Sequence, residues 1–285
     1  MNEVKLIECP RDAMQGLSEF IPTQQKADYI NQLLKVGFDT IDFGSFVSPK
    51  AIPQLRDTAE VLSKLELSVN DKLLAIVANE RGAEDASHFD EISYLGFPFS
   101  ISETFQQRNT NSSIQESIKR VEKIHKIAHK NGKELVLYIS MAFGNPYGDE
   151  WNAELAIKYA NFFEQRGITI LSLADTVGVA SPESISYMFD NLIKELPEVE
   201  FGAHLHANPT NALEKIEAAY NSGCRRFDSA MKGFGGCPMA EDKLVGNLPT
   251  ELLVAYLEDE KVDLNMDTIE FGNSLIMAEK VFPKE

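Results

Sequence analysis

Two imidazoles one residue apart, His204 and His206 in Gly202-Ala203-His204-Leu205-His206, are the residues of this chain best spaced to do chemistry together. Alternate side chains of a β-strand share a face, which sets the two Cα atoms about 6–7 Å apart with both rings on one side. Two ring nitrogens at that spacing can serve one metal ion, but a complete ligand set needs oxygen donors from elsewhere. The other three histidines do not make a second centre. His125 and His129 are four apart on a helical stretch without the glutamate of a zinc-protease helix, and read as surface residues near a helix C-terminus. His88 has no partner in the sequence.

The elements that must carry the pair follow from the apolar pattern, in which a short strand-like run is repeatedly followed by a longer helical one. Strands are expected at 4–9, 40–44, 73–78, 92–97, 135–141, 168–174, 201–206 and 226–231. Between them lie helices: one capped by Thr23 and closed by Gly37, then 50–65, 82–88, 113–130, 152–165, 181–196 and 210–222. Eight strands alternating with helices over about 260 residues predict an α/β chain folded as one (β/α)8 TIM barrel over 1–265, with a short C-terminal helical extension over 266–285. An open doubly wound sheet would want a glycine-rich turn after the first strand, where Cys9-Pro10-Arg11-Asp12 stands instead.

Composition narrows the function. The 285 residues, 44% of them hydrophobic, suffice for a large core. No run approaches the roughly 20 apolar residues of a membrane span. The first residues enter a strand pattern directly, unlike a signal peptide, so a soluble, cytoplasmic protein without membrane partners is expected. The net charge of −17 argues against a nucleic-acid partner and requires a local cationic pocket for any anionic ligand. Cys9, Cys224 and Cys237 are too few and too far apart for a disulfide framework; Cys9 and Cys224 read as packed thiols, Cys237 as a loop residue.

A barrel places its chemistry just beyond the C-terminal ends of its strands. Polar residues fall there: Arg11, Asp12 and Gln15 after the first strand, Asp42, Ser45 and Ser48 at the second, Asp175-Thr176 at the sixth, and the two histidines at the seventh. After the eighth, Gly233-Phe234-Gly235-Gly236-Cys237-Pro238 runs on toward Gly246-Asn247. Carboxylate, imidazole and amide oxygen converging on one mouth suit Mg²⁺, Mn²⁺ or Zn²⁺.

With these residues assembled, the chain resembles the 3-hydroxy-3-methylglutaryl-CoA lyases, in the metal-dependent superfamily that includes isopropylmalate and homocitrate synthases. The carriers are Pro10-Arg11-Asp12-Ala13-Met14-Gln15, Ser45-Phe46-Val47-Ser48-Pro49-Lys50, Asp175-Thr176-Val177-Gly178, His204-Leu205-His206, Gly233 to Pro238, and Gly246-Asn247-Leu248-Pro249-Thr250-Glu251. The Ser-Phe-Val-Ser-Pro-Lys and Gly-Gly-Cys-Pro runs are the ones that favour the lyase branch. The resemblance implies that Asp12, His204, His206 and Asn247 hold Mg²⁺ or Mn²⁺, with Asp42 orienting them from behind. It implies that Arg11 neutralises a developing enolate, that Asp12 or His204 acts as base, that Cys237 handles a proton and that Glu251 supports the Asn247 loop. Gln15, Ser45, Ser48, Asp175 and Thr176 would contact the CoA thioester substrate or the cofactor. A homodimer and a place in leucine degradation or ketone-body metabolism are implied too.

The sequence departs from the pattern in places. Ala207-Asn208-Pro209 follows His206 where the superfamily usually has Asp-Thr, which is expected to alter metal affinity. Gly16-Leu17-Ser18 lacks a lysine placed for CoA, leaving Arg108, Lys50 and Lys232 as candidate cations. The loop from Cys237 to Asn247 is one residue longer than expected. The rival readings are a condensing synthase using acetyl-CoA, which usually has more C-terminal sequence, a lyase for another 3-hydroxyacyl-CoA, and a catalytically silent acyl-CoA sensor barrel.

Overall fold

All eight expected strands form, and they close in chain order into a parallel barrel. They are β1 (Lys5–Glu8), β2 (Thr40–Ser45), β3 (Leu73–Ile76), β4 (Ile92–Ser100), β5 (Glu134–Ser140), β6 (Ile170–Asp175), β7 (Glu200–Leu205) and β8 (Arg226–Ser229), with β8 pairing back to β1. The computed structural model describes residues 3–236 and 245–282. The helices are α1 (Pro10–Gln15), α2 (Thr23–Leu34), α3 (Thr58–Leu62), α4 (Glu80–Ser87), α5 (Glu103–Thr110), α6 (Ile114–Lys130), α7 (Ala153–Glu164), α8 (Pro182–Glu195), α9 (Ala212–Asn221), α10 (Thr250–Asp259) and α11 (Thr268–Val281). No helix among the described residues is long and apolar enough to cross a membrane.

Strand alternation divides the apolar residues into two layers. Leu73 and Ala75 belong to the large core between strands and helices. Leu74 and Ile76 instead join Tyr94, Val136, Tyr138 and Ile170 in a separate cluster. Helix starts follow capping chemistry: Ser113 Oγ accepts from the Glu116 N–H at 3.2 Å while Glu116 returns a carboxylate to the Ser113 N–H at 2.8 Å. At the C-terminal end, the Asp267 N–H donates to the Val36 carbonyl at 2.9 Å and Phe282 packs edge-on to Tyr29 at 5.7 Å, which sets α11 against α2.

Tertiary contacts overrode the local pattern at several points. The helix expected over 50–65 is a turn, a 3-10 segment Pro53–Leu55 and the short α3. The Lys26 ammonium, 2% exposed, donates to the Gln54 carbonyl and pairs with Asp57 at 2.7 Å, so backbone oxygen that a helix would use serves a buried cation instead. Thr23 is not a cap; it is the first residue of α2, after Pro22, and its hydroxyl donates to Asp57 at 2.8 Å. Cys9 lies past the end of β1 as the residue before α1, a helix the apolar pattern does not announce. β8 stops at Ser229, and α5 and α10 form where the apolar pattern announces no helix.

Glu8 ties the barrel seam together. Fully buried at the end of β1, it accepts hydrogen bonds from the Met231 N–H at 2.8 Å and the Thr250 hydroxyl at 2.6 Å, joining β1 to the turn after β8 and to the start of α10. Burial pushes its carboxyl up to about 8, against the opposing pull of those two bonds. A folded pKa above the unfolded value favours the fold most below about pH 4.5 and loses that contribution as pH rises through about 8. Glu8→Gln, which does not titrate, should therefore gain in thermal midpoint relative to the parent between pH 5 and 9. A pH-independent difference in calorimetry would show that Glu8 titrates alike in both states.

Candidate metal centre and active-site cavity

The Pro10 ring begins α1 immediately after β1, and the first turn delivers Arg11 and Asp12, 7% and 4% exposed, to the C-terminal mouth of the barrel. Arg11 is held from three sides. Its Nε donates to Asp42 at 3.0 Å with Nη2 on the same carboxylate, and its Nη1 donates to Asp12 at 2.8 Å and Gln15 at 3.0 Å. Gln15 Nε2 closes the ring by donating to Asp12 at 2.6 Å. Burial lifts Asp42 to about 6 against the Arg11 charge, so at neutral pH it remains mostly an anion. For Asp12 burial works in the same direction, but Arg11, His204 and His206 outweigh it and hold the carboxyl near 2.

His204 and His206 face each other across 5.3 Å between ring centres. His206 Nδ1 donates to the Thr176 carbonyl at 3.1 Å, which fixes the proton on that nitrogen. Its Nε2 is then a lone pair, buried and without a partner among the described residues. Burial, with the His204 charge beside it, lowers His206 to about 4, so the ring is neutral at neutral pH. His204 Nδ1 lies 3.0 Å from Asp228 Oδ2, and Tyr138 stands edge-on to the ring at 5.4 Å. Burial opposes protonation of His204, but Asp228 and Asp12 outweigh it and raise its pKa.

Ligand atoms of Asp12, His204 and His206 lie within 4.8 Å of one another, so the three could hold one metal ion. A neutral imidazole with an orphaned buried Nε2 beside an ionised carboxylate is the donor set a divalent cation needs. Asn247 reaches the group by a separate route. Its loop returns to β7, where the Ala207 N–H donates to the Gly246 carbonyl at 2.8 Å, and its side-chain nitrogen donates to Asp12 at 2.8 Å and the Phe234 carbonyl at 2.9 Å. With both amide hydrogens engaged, the carbonyl oxygen is what Asn247 can offer. Gly235 makes this closure possible: at φ +102°, a Cβ would stand 2.7 Å from Asn247 Nδ2 and 2.9 Å from the Asp12 carbonyl oxygen.

Arg11, Asp12, Gln15, Thr176, His204 and His206 thus line one cavity, whose wall also carries Val47, Ile52, Ile76, Pro98 and Phe105. Other expected site residues are placed differently. Asp175 is not in the lining; burial pushes its pKa up and the buried Lys215 ammonium opposes it at 2.7 Å, while the Ala180 N–H also donates to it at 3.1 Å. Ser45 and Ser48 use their hydroxyl oxygens on the Val47 and Lys50 N–H groups at 3.2 and 3.3 Å. Glu251 accepts from the Lys232 N–H at 2.9 Å, bracing the turn after β8. Of the candidate CoA cations, Lys232 pairs with Glu279 and Arg108 lies over the Tyr147 ring at 4.6 Å, whereas Lys50 is exposed. Cys237 lies outside the described residues.

A closed parallel barrel carrying an acid–imidazole centre at its C-terminal mouth defines a (β/α)8 protein of the metal-site class. The chain belongs to the HMGL-like family, whose model it matches over residues 4–275. It is 33% identical to hydroxymethylglutaryl-CoA lyase of Bacillus subtilis over 90% of this chain and 85% of that one. It is also 33% identical to the cytoplasmic 3-hydroxy-3-methylglutaryl-CoA lyase of Rattus norvegicus, over 93% and 77%. The crystal structure of the Bacillus subtilis HMG-CoA lyase superimposes with a TM-score of 0.92 at 30% identity, covering 99% of this chain and 94% of the other. An HMG-CoA lyase from Acinetobacter baumannii, in complex with coenzyme A and 3-methylmalate, gives 0.91 at 29% identity over 98% and 91%.

Asp228 and Lys215 escaped the sequence reading. For Asp228 a signal was present: Arg226 and Asp228 stand two apart in a strand, the spacing that singled out the histidines. Lys215 also donates to the His206 and Gly178 carbonyls at 2.8 and 3.0 Å, so it holds the ends of β6 and β7 together. Lys215→Met leaves the buried Asp175 charge unpaired and should cost about 3–5 kcal/mol in urea unfolding. A loss under about 1 kcal/mol would show that Asp175 is neutralised by other means.

Proposed function

We propose that the chain cleaves 3-hydroxy-3-methylglutaryl-CoA to acetyl-CoA and acetoacetate. The observation that carries this is the juxtaposition, in one cavity, of the buried Arg11 guanidinium with the Asp12, His204 and His206 cluster. The cavity lining mixes apolar and polar side chains, which suits a branched acyl chain whose tertiary hydroxyl, thioester carbonyl and terminal carboxylate must be bound. The Acinetobacter baumannii relative holding coenzyme A and 3-methylmalate supports the same ligand class.

Cleavage needs the proton of the tertiary hydroxyl removed while the C2–C3 electrons collapse toward the thioester carbonyl. The Asp12 carboxylate takes that proton, since the one nitrogen that His204 leaves free of Asp228 is the one it would offer the cation. The O–H pair becomes the new ketone C=O, the C2–C3 bond breaks, and the acetyl fragment leaves as its enolate. Four of the five Arg11 N–H bonds are directed at Asp12, Gln15 and Asp42. The remaining Nη2 hydrogen and the positive charge are what it brings to the enolate oxygen. Cys237 returns a proton to the acetyl carbon. A divalent cation, Mg²⁺ or Mn²⁺, held by Asp12, His204, His206 and Asn247 would supply Lewis-acid polarisation of the substrate oxygens. The exposed Lys50, between the cavity-lining Val47 and Ala51, is the cation we assign to the CoA phosphates. The assignment fits a role in leucine or ketone-body carbon flow.

The direct test is acetyl-CoA release from 3-hydroxy-3-methylglutaryl-CoA after chelation, with Mg²⁺ or Mn²⁺ returned. Restored release is expected, and none with any divalent ion from folded protein would sink the proposal. Arg11→Met should lower kcat by about two to three orders of magnitude, roughly 3–4 kcal/mol, with the metal still bound. Turnover near the parent rate would remove Arg11 from the chemistry. Lys50→Glu should raise KM for the thioester several-fold with kcat unchanged; an unaltered KM places the CoA phosphates elsewhere.

A further inference from the structure

Behind the metal centre the barrel interior holds a polar layer that the reaction does not use directly. Tyr138 on β5, Ser172 on β6, Gly202 on β7 and Arg226 on β8 are successive register partners, so they form one level of the barrel. Asp228 lies two residues further along β8, on the same face as Arg226 and one level nearer the mouth. Arg226 is 1% exposed, and only its Nη1 has a carboxylate, Glu200 at 2.9 Å. Its Nε and Nη2, with Tyr138 Oη, Ser172 Oγ and Asp228 Oδ1, are buried with no protein partner among the described residues. Gly202 lets Ser172 and Arg226 pack closely against the strand between them, for a Cβ there would stand 3.0 Å from Ser172 Oγ and 3.1 Å from Arg226 Cδ.

Several buried donors and one carboxylate acceptor left without protein partners on neighbouring strands are the setting in which buried water is held, because such groups are otherwise paired and an ordered water takes two to four polar partners. Arg226 also places a positive charge beside the anion that accepts from His204. We propose that Arg226 is a positioning residue for the metal centre: through ordered water held by Tyr138 and Ser172 it fixes Asp228, which holds His204 with Nε2 left as the nitrogen offered to the ion. This rests on reading Asp12, His204 and His206 as metal ligands. Glu200 takes only Nη1, which leaves Nε and Nη2 as buried donors still to be satisfied inside the barrel.

The test is Mn²⁺ binding to the chelated full chain, followed by electron paramagnetic resonance, with no activity read. Arg226→Met should raise the Mn²⁺ dissociation constant about tenfold or more, in the range that partners of ligating histidines produce, with Arg226→Lys restoring part of the loss. Should Arg226→Met not fold, Tyr138→Phe combined with Ser172→Ala keeps the Arg226–Glu200 pair, removes both hydroxyls and should weaken Mn²⁺ several-fold. Folded variants that bind Mn²⁺ like the parent overturn the proposal, as does a parent chain that binds none. A parent that binds Mn²⁺ with Arg226-dependent affinity but releases no acetyl-CoA would sink the lyase reading and leave this one standing.

Discussion

The structure at the barrel mouth depends on one buried guanidinium shared between two carboxylates. Without Arg11, Asp12 and Asp42 would be two anions buried close together, and at least one would take up a proton. With it, Asp12 remains ionised near 2 and keeps both oxygens as acceptors. Two carboxylates and one guanidinium leave a single negative charge beside a neutral His206, a local balance that attracts a divalent cation without a surplus of anions. Lysine at position 11 could neutralise the charge but could not span Asp42, Asp12 and Gln15 in one plane.

That arrangement is held by the way the barrel closes. Asp12 comes from the helix after the first strand and Asn247 from the loop after the last, so their 2.8 Å contact crosses the seam where β8 meets β1. Glu8 fastens the same seam from beneath through Met231 and Thr250, and Glu251 braces the turn at Lys232. The carboxylates around this seam therefore divide between facing a ligand and holding the backbone that presents the others.

The histidine pair and the eight alternations were legible in the sequence because both are local periodicities, of two and about 3.6 residues. What escaped depended on partners distant along the chain. Asp175 stands at a strand end like a catalytic carboxylate, yet it pairs with Lys215, forty residues later and on the next helix but one. The 50–65 segment has a helical pattern, but Lys26 from α2 takes the Gln54 carbonyl. Cations buried by tertiary packing decide both cases, and no window of fifteen residues contains them.

The replacement of the expected acid after His206 shows how the same need is met across strands. Ala207 is 5% exposed and its N–H is engaged by the Gly246 carbonyl, so a charged side chain at 207 would lie against the returning loop that carries Asn247. A carboxylate backs an imidazole of this centre nonetheless: Asp228, from the neighbouring strand, lies 3.0 Å from His204 Nδ1. His206 takes a backbone carbonyl instead, and a neutral acceptor orients its ring without adding charge. The two histidines are therefore unequal, one made basic by a buried anion and the other kept neutral. That asymmetry gives the proposed centre one imidazole strengthened by a buried carboxylate and one held neutral by a backbone carbonyl.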